Sequence, residues 1–280
     1  MALGGNPVFN GKNFRSASRG NQTAGFGTMT YGGTATANHQ QLEHMYNQPS
    51  AGPSQTGRMT FDDVIVKTLL CLGVVLIGAA IPAFVLPGLA LPLMVIGALG
   101  GFVLGLVNAF KREPSPVLII AYALAEGLFL GGISGMFEAT YPGIVIQAVM
   151  GTVAVFVSVL VLYKVGVLRS SPRVTKIFMV AIMAYALFAL INLGTSLLGG
   201  FNMRYDVTLF GIPLGLIVGA LAILLAAYSF VLDFENITDG VRRGIPEKAA
   251  WSAAFGLTVT LIWAYVEILR VIAIIRSMSE

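Results

Sequence analysis

The sequence predicts an all-α membrane protein, a bundle of seven transmembrane helices. Three observations carry that expectation. Of the 280 residues, 56% are hydrophobic and only 11% are charged, less than half the roughly 25% charge of a soluble domain. Mean hydropathy is +0.82. The apolar residues also fall into seven runs of spanning length, since about 20 helical residues at 1.5 Å rise cross a core of roughly 30 Å.

Residues 1–58 come first and differ from the rest. They are rich in Gly, Asn, Gln, Ser and Thr and hold no sustained apolar pattern, so they cannot bury enough surface to offset the entropy of ordering. They are expected to form a disordered tail ahead of a membrane domain at 59–280. Helix begins at "TFDDVIVK": Thr60 suits an N-cap, Asp63 three residues on suits its reciprocal partner, and Asp62 and Asp63 suit the positive end of a helix dipole.

The spans are expected near 64–86, 89–110, 116–137, 141–163, 174–198, 207–232 and 249–275. Each boundary has a breaker: Pro87-Gly88, Pro114 with Pro116, Pro142-Gly143, Ser170-Ser171-Pro172, Gly199-Gly200, and the polar stretch 235–248. Six spans with a re-entrant last segment is the alternative topology.

Basic residues set the expected orientation. Lys111, Arg112, Lys164, Arg169, Arg173, Lys176, Arg242, Arg243 and Lys248 cluster at alternate connections, with Lys12, Arg15, Arg19 and Arg58 before the first span. The remaining connections hold only Arg204. The positive-inside rule then places the N-terminus in the cytoplasm. Net charge of +4 thus reflects topology, and no aromatic–basic platform or zinc pattern points to nucleic acid. The bilayer is the first partner.

Three segments repeat glycine every fourth residue: Gly97, Gly101 and Gly105 in the second; Gly127, Gly131 and Gly135 in the third; Gly211, Gly215 and Gly219 around the sixth. Spacing of four puts each set on one face, where small residues let helices approach closely.

The chemistry-bearing residues are acids. Both histidines, His39 and His44, lie in the tail, and the one cysteine, Cys71, lies in an apolar run. Intramembrane ionisable groups are costly and are functional candidates. Glu126 falls near the middle of the third segment, Asp233 in "YSFVLDFENI" at the end of the sixth, and Glu267 in "TLIWAYVEILRVIAII" within the seventh. Glu235 is expected to be solvated. Glu267 has two candidate partners. Arg270 stands at i+3 on its own helix. Asp233 on the sixth segment would instead form a coupled carboxylate pair that shares a proton. Such a pair would also be a sparse, weak oxygen site for Ca²⁺, which prefers six to eight ligands. Against the pair, Glu267 lies roughly 27 Å along a helix begun at residue 249. No intramembrane histidine and no Gly-x-Ser-x-Gly motif is present, so an enzyme is not expected.

Seven spans, "AEGLFLGGISG", "LDFENI" and "YVEILRVIAIIR" together make residues 60–280 resemble the Bax inhibitor-1 family of membrane proteins, in its bacterial, actinobacterial-type branch. The resemblance implies a bundle with the last helix central, in a bacterial plasma membrane. It implies a pH-responsive Ca²⁺ leak with Asp233 and Glu267 as ion or pH sensor and Glu126 as a pore-side acid. No cofactor is implied beyond transient Ca²⁺. Some relatives bind membrane proteases, so a membrane-embedded regulator is the alternative function, with a membrane protein as partner. The second segment holds Asn108 and no arginine to neutralise the acids.

Overall fold

A computed structural model describes residues 57–279; most of the expected tail lies outside the described residues. Seven long apolar helices account for the spans: α1 (Phe61–Ala80), α2 (Ala90–Phe110), α3 (Pro116–Thr140), α4 (Ile144–Val165), α5 (Pro172–Gly199), α6 (Leu214–Arg243) and α7 (Ala249–Ser279). The last is one continuous helix of 31 residues, long enough to cross the bilayer outright. The re-entrant alternative is thereby set aside.

The local chemistry explains the ends. Thr60 Oγ1 accepts from the Asp63 N–H at 3.1 Å and Asp63 Oδ2 accepts from the Thr60 N–H at 2.9 Å, the expected reciprocal cap. At the far end of α1, Pro82 cannot donate a helical hydrogen bond. The helix widens into a π turn over Ile81–Val85, and the Leu86 N–H reaches Ile81 O at 2.8 Å. Gly143, Gly166, Gly200 and Gly244 all carry positive φ at the ends of helices, the conformation glycine adopts at least cost.

Between α5 and α6 the chain forms a single helical turn, Met203–Asp206, and a short hairpin of β1 (Thr208–Leu209) and β2 (Ile212–Pro213). The sixth span therefore differs from expectation. It starts at Leu214 instead of 207 and continues to Arg243, past the polar residues read as a loop. Helices do not stop where the apolar run stops. Asn236 and Asp239 are solvent-exposed on a face that leaves Phe234 and Ile237 buried, so the amphipathic extension is helical until Gly244 ends it.

The last helix is the centre of the bundle. In its most apolar window 56% of residues are buried, against 6% for α5. All three buried clusters include it, through Leu257 and Ala264, through Ile262, and through Ile268, Leu269 and Ala273. The outer helices turn apolar side chains such as Leu69, Leu99 and Met183 outward, as a lipid-facing surface must.

Small residues weld α1, α2 and α3 together. A Cβ on Gly127 would stand 2.9 Å from the Gly78 Cα, one on Gly131 2.7 Å from the Ala79 Cα, and one on Gly97 2.6 Å from the Ala125 carbonyl oxygen. Gly105 lies under the Tyr122 ring, and Gly215 and Gly219 lie against Ile274 and Val271 of α7. Two expected positions do not pack. Gly135 has no neighbour within 4 Å, and Gly211 is the φ +81° corner of the hairpin rather than part of α6. Gly78 and Gly132, outside the spacing-of-four pattern, pack tightly instead.

Candidate functional site

Glu267 is fully buried at 1% exposure. Its Oε2 accepts from Arg204 Nη1 at 3.1 Å, its Oε1 accepts from the Tyr185 hydroxyl at 2.5 Å, and Arg270 of the next turn also donates to Oε1. Arg204 donates through its other nitrogen to the Tyr185 hydroxyl at 3.1 Å. Its guanidinium lies 5.7 Å from the Tyr185 ring centre and 5.5 Å from that of Phe188, within cation–π range. The result is a closed cluster joining α5, the Met203–Asp206 turn and α7.

Local structure aims each member. Arg204 sits in a turn capped by Asn202, whose Oδ1 accepts from the Arg204 N–H at 3.1 Å, while Asp206 accepts from the Asn202 N–H at 2.6 Å. Gly215 of α6 has no side chain where the backbone of Arg204 passes: a Cβ there would lie 2.7 Å from its carbonyl oxygen. That close approach lets the arginine enter the bundle, where it is 4% exposed. Burial pulls the Arg204 guanidinium down, but the Glu267 carboxylate and the Tyr185 hydroxyl outweigh it and raise its pKa. The cluster holds two guanidiniums for one carboxylate, a net charge of +1 if all three are ionised.

The expected pairing of Glu267 with Asp233 is not formed. Asp233 Oδ2 accepts from the Thr260 hydroxyl at 2.8 Å, and its Oδ1 lies near Gly256. The antiparallel α6–α7 hairpin explains this. Its tight turn at Gly244 sets a register in which Asp233 faces Thr260. Glu267 is seven residues further along α7, about 10 Å by helical rise. The polar residues after 232 continue α6 to Arg243, while α7 starts at Ala249 as expected, so they move neither acid towards the other. Seven residues is two turns, so Thr260 and Glu267 lie on one stripe of α7. The two acids are thus stacked along the central helix at different depths.

The tentative oxygen site of Asp233 with Glu267 is likewise not assembled. Among the described residues no three His, Cys, Asp or Glu side chains converge as a metal site would require. Glu126 stands apart, between α2 and α3. Gly101 leaves room for it: a Cβ there would lie 2.6 Å from Glu126 Oε1. Asn108 of α2 bonds backbone carbonyls of Leu104 and Leu118. Glu235, partly exposed, accepts from the Ser170 N–H at 2.7 Å.

Of the three expected acids, the structure places Glu267 in the most elaborate setting and gives it both the anticipated Arg270 and an unanticipated Arg204. The signal for Arg204 was present in its position, as the lone cation among the alternate connections. Its partner is 63 positions away in the chain, beyond the reach of spacing arguments.

The same chain has no match among curated proteins. The family model described as Bax inhibitor 1 like matches residues 6–277. That is more of the chain than the motifs of the spans alone cover, and it takes in nearly all of the polar N-terminal segment. With six spanning helices around a central seventh and a match over nearly its whole length, the chain belongs to the Bax inhibitor 1 like family.

Proposed function

We propose that this membrane protein is a pH-responsive cation leak pathway, favouring Ca²⁺, gated by its intramembrane carboxylates. The observation that carries the reading is the unequal treatment of two acids set along one stripe of α7: Glu267, which belongs to it, and Asp233 of α6, which faces it at Thr260. Glu267 is held by Arg204, Arg270 and Tyr185, whereas among the described residues Asp233 has only the Thr260 hydroxyl as a hydrogen-bond partner. A cation can be drawn towards Asp233, but two turns further on it meets a cluster of net positive charge, and fields of one sign repel it in a low-dielectric setting. A proton on Glu267 removes the anion holding the two arginines. They then repel each other, and the Met203–Asp206 turn that carries Arg204 is released. Few carboxylate oxygens bind Ca²⁺ weakly, which suits passage over storage. The distribution of basic connections supports a cytoplasmic N-terminus, and the resemblance of the span motifs to the bacterial branch of the family supports a bacterial plasma membrane as the setting.

The test is flux in liposomes loaded with a calcium dye. Glu267→Gln is expected to raise basal flux and flatten its pH response. Asp233→Asn is expected to lower flux. Unchanged flux and pH dependence in both variants would sink the proposal. A second reading, a regulator that binds a membrane protease or another partner, is favoured by a different observation. Helix α5 buries only Phe178, and the family match includes the segment before α1. Removing residues 1–56 separates the two readings. Lost binding to a defined protease with flux intact assigns partner binding to that segment, and no flux from the full chain favours the regulator.

A further inference from the structure

At the end of the bundle where α1 begins, residues 58–62 and 241–244 line a half-open recess of about 480 Å³, a volume in the range of small-ligand sites. Arg58, Arg242 and Arg243 line it, together with Asp62. Three arginines against one aspartate leave two positive charges. Among the described residues Arg58 and Arg242 form no ion pair, and Arg243 has only Asp239 at 3.5 Å, with both side chains more than half exposed, a pairing that solvent screens.

The site is built into the fold. The Met59 N–H donates to Ile245 O at 2.9 Å and the Glu247 N–H donates to Gly57 O at 2.8 Å. Met59 between them is 2% exposed. This clamp pins Arg58 over the α6–α7 connection, where Gly244 has no side chain: a Cβ there would lie 3.4 Å from Arg58 Nε. The cavity is also continuous with a lipid-facing stripe. Phe61 lines it, and Ile65 and Leu69 follow at four-residue spacing on α1, exposed by 47%, 54% and 63% respectively. Arg58 precedes the start of α1, and Arg242 and Arg243 end α6 beside it; basic pockets at the ends of spans recognise anionic headgroups.

We infer that this cavity binds the phosphate headgroup of an anionic phospholipid, whose acyl chain runs down the Phe61–Ile65–Leu69 stripe. The phosphate meets Arg58 and Arg242 first, because neither has an ionic partner among the described residues. The bound lipid would bridge the segment before α1 to the α6–α7 hairpin that carries Asp233 and Glu267. The site itself stands apart from the cation pathway, and its readout is lipid retention rather than flux.

Native mass spectrometry of the full chain, equilibrated with equal phosphatidylglycerol and phosphatidylcholine, tests the inference. One phosphatidylglycerol retained in preference is the expected result. Arg58→Gln and Arg242→Gln should each weaken retention about fivefold, the effect of one basic side chain near an anionic surface. Arg58→Lys should keep most of it, and Lys111→Gln with Arg112→Gln should leave it unchanged. Circular dichroism checks that each variant is folded. Ile65→Ser should weaken long-chain phosphatidylglycerol while leaving glycerol phosphate unaffected. Equal loss in the Lys111 and Arg112 variant would overturn the site in favour of a diffuse surface charge. Displacement of the lipid by millimolar inorganic phosphate would overturn it in favour of a free-anion site.

Discussion

Replacing Glu267 with glutamine keeps the shape of the side chain and removes its charge. The site around it is severely desolvated: the side chains of Arg204 and Glu267 are 5% and 2% exposed. Removing one partner of such a pair costs roughly 3–5 kcal/mol, because the other charge is left uncompensated. Glutamine still offers a carbonyl oxygen, and Arg204 keeps the Tyr185 hydroxyl, so the cost should fall near the lower end, about 3 kcal/mol. Arg204→Gln should be milder. Glu267 then keeps Arg270 and Tyr185, and what is lost is one charge-assisted hydrogen bond of about 2 kcal/mol. The double variant should cost clearly less than the two single costs combined, since residues in one network couple by roughly 1–3 kcal/mol. Reversible unfolding in mixed detergent micelles, read by circular dichroism, measures all three. If Arg204→Gln lies within about 0.5 kcal/mol of the parent, as an ordinary surface substitution would, or if the two effects simply add, the pair is not the closed, desolvated contact described above.

Other consequences can be checked in the same system. Gly127→Ala should destabilise by about 1–3 kcal/mol through overpacking, since its Cβ would stand 2.9 Å from the Gly78 Cα. Gly135→Ala meets nothing within 4 Å and should stabilise by roughly 0.5–1 kcal/mol; a matching loss in both would refute the packing assignment. Thr260→Val removes the hydrogen-bond donor to Asp233 and should cost about 1–3 kcal/mol by leaving a half-buried acceptor unmatched. Thr60→Ala should cost about 1 kcal/mol and speed amide exchange in the first turn of α1, with little effect at α7.

The seven spans were legible because bilayer crossing imposes a length and a composition that each segment must meet alone. Where a segment leaves the hydrocarbon, that constraint ends. This is why hydropathy closes the sixth span at residue 232 while the helix runs to Arg243. The polar extension obeys amphipathic packing against α7, and only the assembled hairpin reveals it. Glycine spacing behaved similarly. Gly97, Gly127 and Gly131 meet a neighbouring backbone, but the same spacing at Gly135 meets nothing and at Gly211 describes a turn. A periodic face shows that close approach is permitted, not that a partner is there.

For the candidate site, the residue types alone identified Glu126, Asp233 and Glu267, since a carboxylate in an apolar run is conspicuous whatever surrounds it. The i+3 contact of Glu267 with Arg270 is local and follows from helical geometry. Partnerships between helices depend on register and on which loop folds inward. One turn at Gly244 aligned Asp233 with Thr260 and kept it from Glu267. One connection between α5 and α6 folded Arg204 into the bundle to take the place that Asp233 had been expected to fill. Those outcomes depend on where backbones distant in the chain come to lie, and electrostatic partners are chosen by distance in space. Composition and hydropathy were enough to establish a seven-helix membrane protein with intramembrane acids. The identity of the charge that each acid meets was set by packing.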